Sequence, residues 1–142
     1  MSRKIYFAGS IHGGRQDAEL YFRIIEQLKG YGTVFTEHVG HPNHPELAGM
    51  NEKEVHDGHI DDWLQKSDVL VAECTQPSLG VGYEIGRAVA MNKNIFVLFR
   101  PDAGRKLSCM IRGAQNGSTF IVKDYKEEEL PGLLKNYFGS RT

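Results

Sequence analysis

Five short, almost uninterrupted apolar runs alternate along the chain with segments whose apolar residues recur at helical spacing. No other feature restricts the fold as much. The runs are Lys4–Gly9 (KIYFAG), Thr33–Glu37 (TVFTE), Asp68–Cys74 (DVLVAEC), Asn94–Phe99 (NIFVLF) and Thr119–Val122. Runs this short and this apolar suit strands buried on both faces, which is the signature of a parallel sheet covered by helices.

The intervening segments supply those helices. Asp17–Lys29 sets Leu20, Ile24, Ile25 and Leu28 on one stripe, with Gly30 as its stop signal. A second helical pattern surrounds Ile60, Trp63 and Leu64. A third helix is expected from about Val81 to Asn92, after a turn holding Pro77 and Gly80. A helical piece at about Lys106–Ile111 and a last helix at about Glu127–Phe138 complete the set, and His41–Asn51, with Pro42, Pro45 and Gly49, reads as a loop. Strand–helix alternation implies right-handed βαβ crossovers. Five strands in 142 residues predict an α/β, flavodoxin-like (Rossmann-type) three-layer sandwich, with a parallel sheet of order 2-1-3-4-5 in one domain over 1–142. The chain shows no internal repeat, low-complexity stretch or linker.

In such a sheet the winding reverses between strands 1 and 3, and the ligand crevice lies there. Two small-residue turns open at that crevice. The turn after strand 1 is Gly9-Ser10-Ile11-His12-Gly13-Gly14-Arg15. Its glycines let backbone N–H groups approach an anion, a helix N-terminus follows, and Arg15 adds a bidentate contact. The same glycines also fit a plain tight turn. It is not a Walker loop, because no Gly-Lys-Ser/Thr follows. The turn after strand 3 runs into Gly80-Val81-Gly82-Tyr83-Glu84-Ile85-Gly86, one residue off the dinucleotide fingerprint and after the wrong strand for it. Glu84 is expected in the first helical turn, either as a dipole-favoured acid or as a carboxylate aimed at the ligand. Tyr6 lies in strand 1, as a core tyrosine or a site residue.

Composition narrows the function. The net charge of -1 lacks the basic excess of a protein held on a nucleic acid polymer. Two cysteines, Cys74 and Cys109, cannot form a disulfide scaffold or a zinc motif, and they point to a reducing compartment. No run approaches the roughly 18 apolar residues of a membrane span, and the N-terminus lacks a signal-peptide pattern. A cytoplasmic location, with the nucleus as a second compartment, is the expectation. The histidine pairs His41/His44 and His56/His59 lack a metal-ligand pattern, so neither metal nor cofactor is expected.

The segments YFAGSIHGGR from Tyr6, YGTVFTEHV from Tyr31, SDVLVAECTQPSLGVGYEIGRAVA from Ser67 and LFRPDAGRKLSCMIRGAQNGS from Leu98 closely resemble the 2′-deoxynucleoside 5′-monophosphate N-glycosidases. These are hydrolases of the nucleoside 2-deoxyribosyltransferase superfamily, and the resemblance runs from Ile5 to about Phe138. It implies cleavage of the N-glycosidic bond, releasing a free base and 2-deoxyribose 5-phosphate. It implies Glu84 as catalytic glutamate, Tyr6 as active-site tyrosine and Gly9–Arg15 as the phosphate turn. Tyr21, His38 and Gly82 are implied at the substrate. Ser108, with Cys109 and Met110 beside it, is implied to reach the 5′-phosphate bound by the partner in a homodimer with composite sites. Apolar Leu107, Met110 and Ile111 are expected at the centre of that interface.

The chain departs from the family twice. His12 replaces an arginine of the phosphate turn, which reads GSIRGGR elsewhere. The family also keeps an aspartate three residues before the helix tryptophan. Counting back from Trp63 gives Ile60; one inserted residue would bring His59 to that place, and the opposite shift would bring Asp61.

The implied chemistry is coherent. Loss of a base from deoxyribose passes through an oxocarbenium-like state that a carboxylate beneath C1′ stabilises or traps. Protonation of the leaving base calls for an acid, a role that suits His59. Three readings compete: a hydrolase, a transferase moving the sugar to a second base, and a non-enzymatic nucleotide-binding domain.

Overall fold

A computed structural model describes residues 3–10, 17–36 and 51–139. All five expected strands form: β1 (Arg3–Ala8), β2 (Gly32–Val34), β3 (Val69–Glu73), β4 (Asn94–Phe99) and β5 (Phe120–Asp124). They pair in parallel in the order β2-β1-β3-β4-β5. The winding therefore reverses between β1 and β3, which are in register from Ile5 opposite Val69 to Ala8 opposite Ala72.

Side chains alternate across a strand, so each strand feeds two cores. Ile5, Phe7, Val69, Val71, Phe96 and Leu98 face one side and pack with α1 (Ala18–Leu28) and α5 (Leu130–Gly139). Tyr6, Ala8, Leu70, Ala72, Ile95 and Val97 face the other, against α3 (Leu79–Ala90) and the segment carrying Ile60 and Leu64. Full burial of each large apolar side chain contributes roughly 1.5–3 kcal/mol, so the two cores hold the layers together.

Several element ends differ from expectation, and local polar groups explain them. β2 stops at Val34, because the Thr36 hydroxyl takes over the next rung. Its Oγ1 accepts from Phe7 N–H at 2.8 Å and donates to Phe7 C=O at 2.5 Å. Glu37 lies outside the described residues, as does the loop from 41 to 50. α3 begins at Leu79 rather than Val81, since Ser78 caps it by accepting from Val81 N–H at 3.2 Å. Glu84 consequently sits in the second turn, beyond the reach of the dipole argument. Ser108 likewise caps α4 (Cys109–Gly113), and the stretch from Lys106 to Leu107 is not helical. Leu107 is buried in the core rather than available to an interface. The last helix is preceded by one 3-10 turn, Glu127–Glu129.

The segment before β3 holds the least common element. α2 (Glu52–Asp57) starts with a capping box, in which Asn51 and Glu54 satisfy each other's backbone N–H groups. It runs directly into a π-helical stretch, Gly58–Leu64. Such turns take in one residue more than an α turn and recur at functional sites.

Candidate active site

The β1–β3 reversal brings Tyr6 and Glu84 together. Tyr6 is fully buried, and its side chain falls on the α3 side of the sheet because its neighbours Ile5 and Phe7 face α1. Its hydroxyl donates a hydrogen bond to Oε2 of Glu84. Burial, then the Glu84 charge, pushes the phenol far above the ordinary tyrosine range, so it remains a donor at every working pH. Burial also pushes the Glu84 carboxyl up from the ordinary 4.5 to about 7, against the lowering effect of the Tyr6 hydrogen bond. A carboxylate poised near neutrality with one oxygen held by a phenol is suited to attack, or to electrostatic support of a cation, through its other oxygen.

The π-helical stretch holds the three candidates for a third group. Of the three candidates there, Ile60 is buried in the core and Asp61 is exposed. His59 faces Tyr6 edge-on, with ring centroids 6.3 Å apart, and meets Trp63 edge-on at 4.9 Å. Its Nδ1 lies 2.9 Å from the Val55 carbonyl, an acceptor only, so Nδ1 carries a hydrogen. The wider π turn explains how a helix can absorb one extra residue and still present a side chain at this place.

The glycine-rich turn after β1 is described as far as Ser10. Gly9 has no room for a side chain: a Cβ there would come within 2.8 Å of the Tyr21 ring. Tyr21, fully buried on α1, accepts from Ser10 N–H at 3.1 Å and so forms the floor of the turn. Ser10 Oγ is itself buried without a hydrogen-bond partner among the described residues. A hydroxyl in that state is costly unless a polar ligand completes it. Ile11, His12, Gly13, Gly14 and Arg15 lie outside the described residues, and so does His38.

The other expected positions are spread along the edge where the strands end. Gly82 is exposed, and a Cβ there would meet nothing within 4 Å among the described residues. Gly80, one helical turn before Glu84, shares its face and carries no side chain there. Ser108 Oγ accepts from Met110 N–H at 3.2 Å, while Cys109 and Met110 are exposed. Cys74, at the end of β3, is an inert thiol: burial, then Glu73 and Glu84, pushes it up to about 12. Among the described residues no group of three His, Cys, Asp or Glu side chains is placed to hold a metal ion.

Sequence reasoning missed a buried ionic cluster below the same edge, formed by Glu73, Arg100, Asp17, Thr75 and Tyr125. An acid ending an otherwise apolar strand was its signal.

Comparison with known proteins is consistent with this geometry. A provisionally named 2′-deoxynucleoside 5′-phosphate N-hydrolase 1 of Nematostella vectensis is 55% identical over 143 residues, covering 99% of this chain and 97% of that protein. The human 5-hydroxymethyl-dUMP N-hydrolase is 55% identical over 137 residues, covering 94% of this chain and 78% of its own length. The structure of a CMP N-glycosidase from Clostridium botulinum superposes with a TM-score of 0.63 at 20% identity, covering 94% of this chain and 99% of that one, and so shares the fold. The family model described as nucleoside 2-deoxyribosyltransferase matches residues 5–124, and with relatives this similar along nearly the whole chain, the protein belongs to that family.

Proposed function

We propose that this protein hydrolyses the N-glycosidic bond of 2′-deoxynucleoside 5′-monophosphates, releasing the free base and 2-deoxyribose 5-phosphate. The observation that carries the reading is the Tyr6–Glu84 pair at the sheet's reversal point, with the carboxyl held near neutrality. Tyr6 occupies Oε2, which leaves Oε1 to attack C1′ as the C1′–N bond breaks. The bonding pair departs with the base, which takes a proton from His59. Water then attacks C1′, the carboxylate leaves, and the water's proton returns to His59, which regenerates the acid. The relatives' names, N-hydrolases of deoxynucleotides, support water as the acceptor.

The family model is named for transfer to a second base, so the deciding assay includes one. A panel of deoxynucleoside 5′-monophosphates is incubated with and without a different free base. Base release with no dependence on the acceptor is the expected result. Formation of a new deoxynucleotide at a comparable rate would make the enzyme a transferase, and absence of base release from every member would defeat the enzymatic reading.

We further propose a homodimer in which Ser108 serves the partner's site. Leu79, 97% exposed, and Met110, 83% exposed, begin the helices that follow neighbouring strands β3 and β4. Gly82 and Gly86 lie inside α3, where glycine costs about 1 kcal/mol relative to alanine, and none of the described residues crowds either. An approaching second chain gives the missing side chains a purpose. Mixing Glu84→Ala with Ser108→Ala subunits should restore activity, because one site in each mixed dimer keeps both residues. A monomeric elution volume at micromolar concentration, or no restoration on mixing, would refute the composite site.

A further inference from the structure

The buried cluster below the sheet edge is not used by this chemistry. Glu73, the last residue of β3, is fully buried and accepts four hydrogen bonds. They come from Thr75 N–H at 2.8 Å, Thr75 Oγ1–H at 2.8 Å, Arg100 Nε–H at 3.2 Å and Tyr125 O–H at 2.6 Å. Arg100, directly after β4, also donates from Nη2 to Asp17, the residue before α1, and from its backbone N–H to Thr75 Oγ1 at 3.0 Å. One guanidinium thus bridges two carboxylates that belong to different turns. Only the planar fork of arginine does this well, because a lysine ammonium is a point charge.

Stability alone is a weak reason for such a cluster, since well-packed apolar residues of similar size often serve as well as buried ion pairs. Its geometry gives a better one. Asp17 opens α1, and α1 carries Tyr21, which supports Gly9 and holds Ser10 N–H. Thr75 opens the turn that leads through Ser78 into α3 and Glu84. The Glu73–Arg100–Asp17 bridge therefore locks the Ser10 end of the site to the Glu84 end.

We propose that Arg100 and Asp17 are positioning residues that set the span between the 5′-phosphate bound at Ser10 and the Glu84 carboxylate under C1′. This rests on the deoxynucleotide reading above. A phosphate assists reaction only if its anchor and the nucleophile are correctly spaced, because remote binding energy becomes rate through orientation. A nucleoside lacks the phosphate and is indifferent to that span.

The test compares kcat/KM for a 2′-deoxynucleoside 5′-monophosphate and its deoxynucleoside in the same enzymes. Asp17→Asn leaves the Glu73–Arg100 pair intact and is the variant expected to fold without difficulty. It should lower kcat/KM for the nucleotide about tenfold and for the nucleoside by less than about twofold. Arg100→Lys, which keeps the charge and loses the fork, should do the same, and the double variant should lose no more than either single one. Tyr125→Phe removes a donor to Glu73 without touching Asp17, and should keep the wild-type ratio. Equal losses on both substrates would show only a smaller folded fraction and would overturn the proposal, as would an unchanged nucleotide rate. A wild-type enzyme without preference for the nucleotide would instead defeat the deoxynucleotide reading itself.

Discussion

Replacing Glu84 by glutamine should lower kcat by about 10^3-fold or more while making the protein more stable above neutrality. The first effect follows from losing the carboxylate proposed to meet C1′; removal of a nucleophile has cost up to about 10^6-fold in other enzymes. The second follows from the carboxyl's environment. Its folded pKa, about 7, lies above the ordinary 4.5 because burial penalises the anion. A raised folded value favours the protonated folded state, so the stability it provides is complete below about 4.5 and is lost as pH rises to about 7. Above that the wild type carries a buried charge that glutamine does not, while the Tyr6 hydroxyl keeps an acceptor. The penalty is about 3 kcal/mol, and its removal raises Tm by roughly 5 °C or more at pH 8.5 and leaves it unchanged near pH 4. Activity has the opposite slope in the wild type: kcat/KM should climb through an acid limb centred near 7, as Glu84 ionises. Calorimetry at two pH values and a pH–rate profile check both. A glutamine variant that keeps most of its turnover, or one that is less stable at pH 8.5, would remove Glu84 from its role.

The sheet was legible because its strands are continuous apolar runs, and the order followed from their alternation with helices. Helix starts were harder to read, since a single hydroxyl decides them. Ser78 moves α3 two residues upstream, and Ser108 moves α4 to Cys109. The π-helical stretch left only an indirect trace, a register that fits the family pattern once a residue is inserted, because its i to i+5 bonding has no periodicity signature in seven residues. Of the candidate site, Tyr6, Glu84 and His59 were named from the sequence, and the fold sets them side by side. Glu73 falls near the end of the third apolar run and Arg100 just after the fourth. Nothing local marks two charges 27 residues apart as partners until parallel pairing of β3 and β4 sets their ends side by side.

Removing the 5′-phosphate from the substrate should cost on the order of 10^3-fold in kcat/KM, the other large effect expected. Gly9 and Ser10 follow β1 at the reversal point, with Ser10 Oγ buried and lacking a partner among the described residues, and the glycine-rich segment to Arg15 comes next. A phosphate there would complete the hydroxyl and receive charge-assisted hydrogen bonds worth roughly 1.5–3 kcal/mol each, so two or three of them supply the factor. Ser10→Ala should lose about tenfold on the nucleotide and almost nothing on the nucleoside, because only one of those bonds disappears and the orphaned hydroxyl goes with it. Ribonucleotides should react poorly, since a 2′-hydroxyl withdraws electrons from the developing cation and must be accommodated beside Glu84 and Tyr6. Rates for deoxyguanosine, its 5′-monophosphate and the ribonucleotide in wild type and Ser10→Ala decide the matter. Equal kcat/KM for the deoxynucleoside and the deoxynucleotide would show that the turn after β1 is a structural bend and that the substrate is anchored elsewhere.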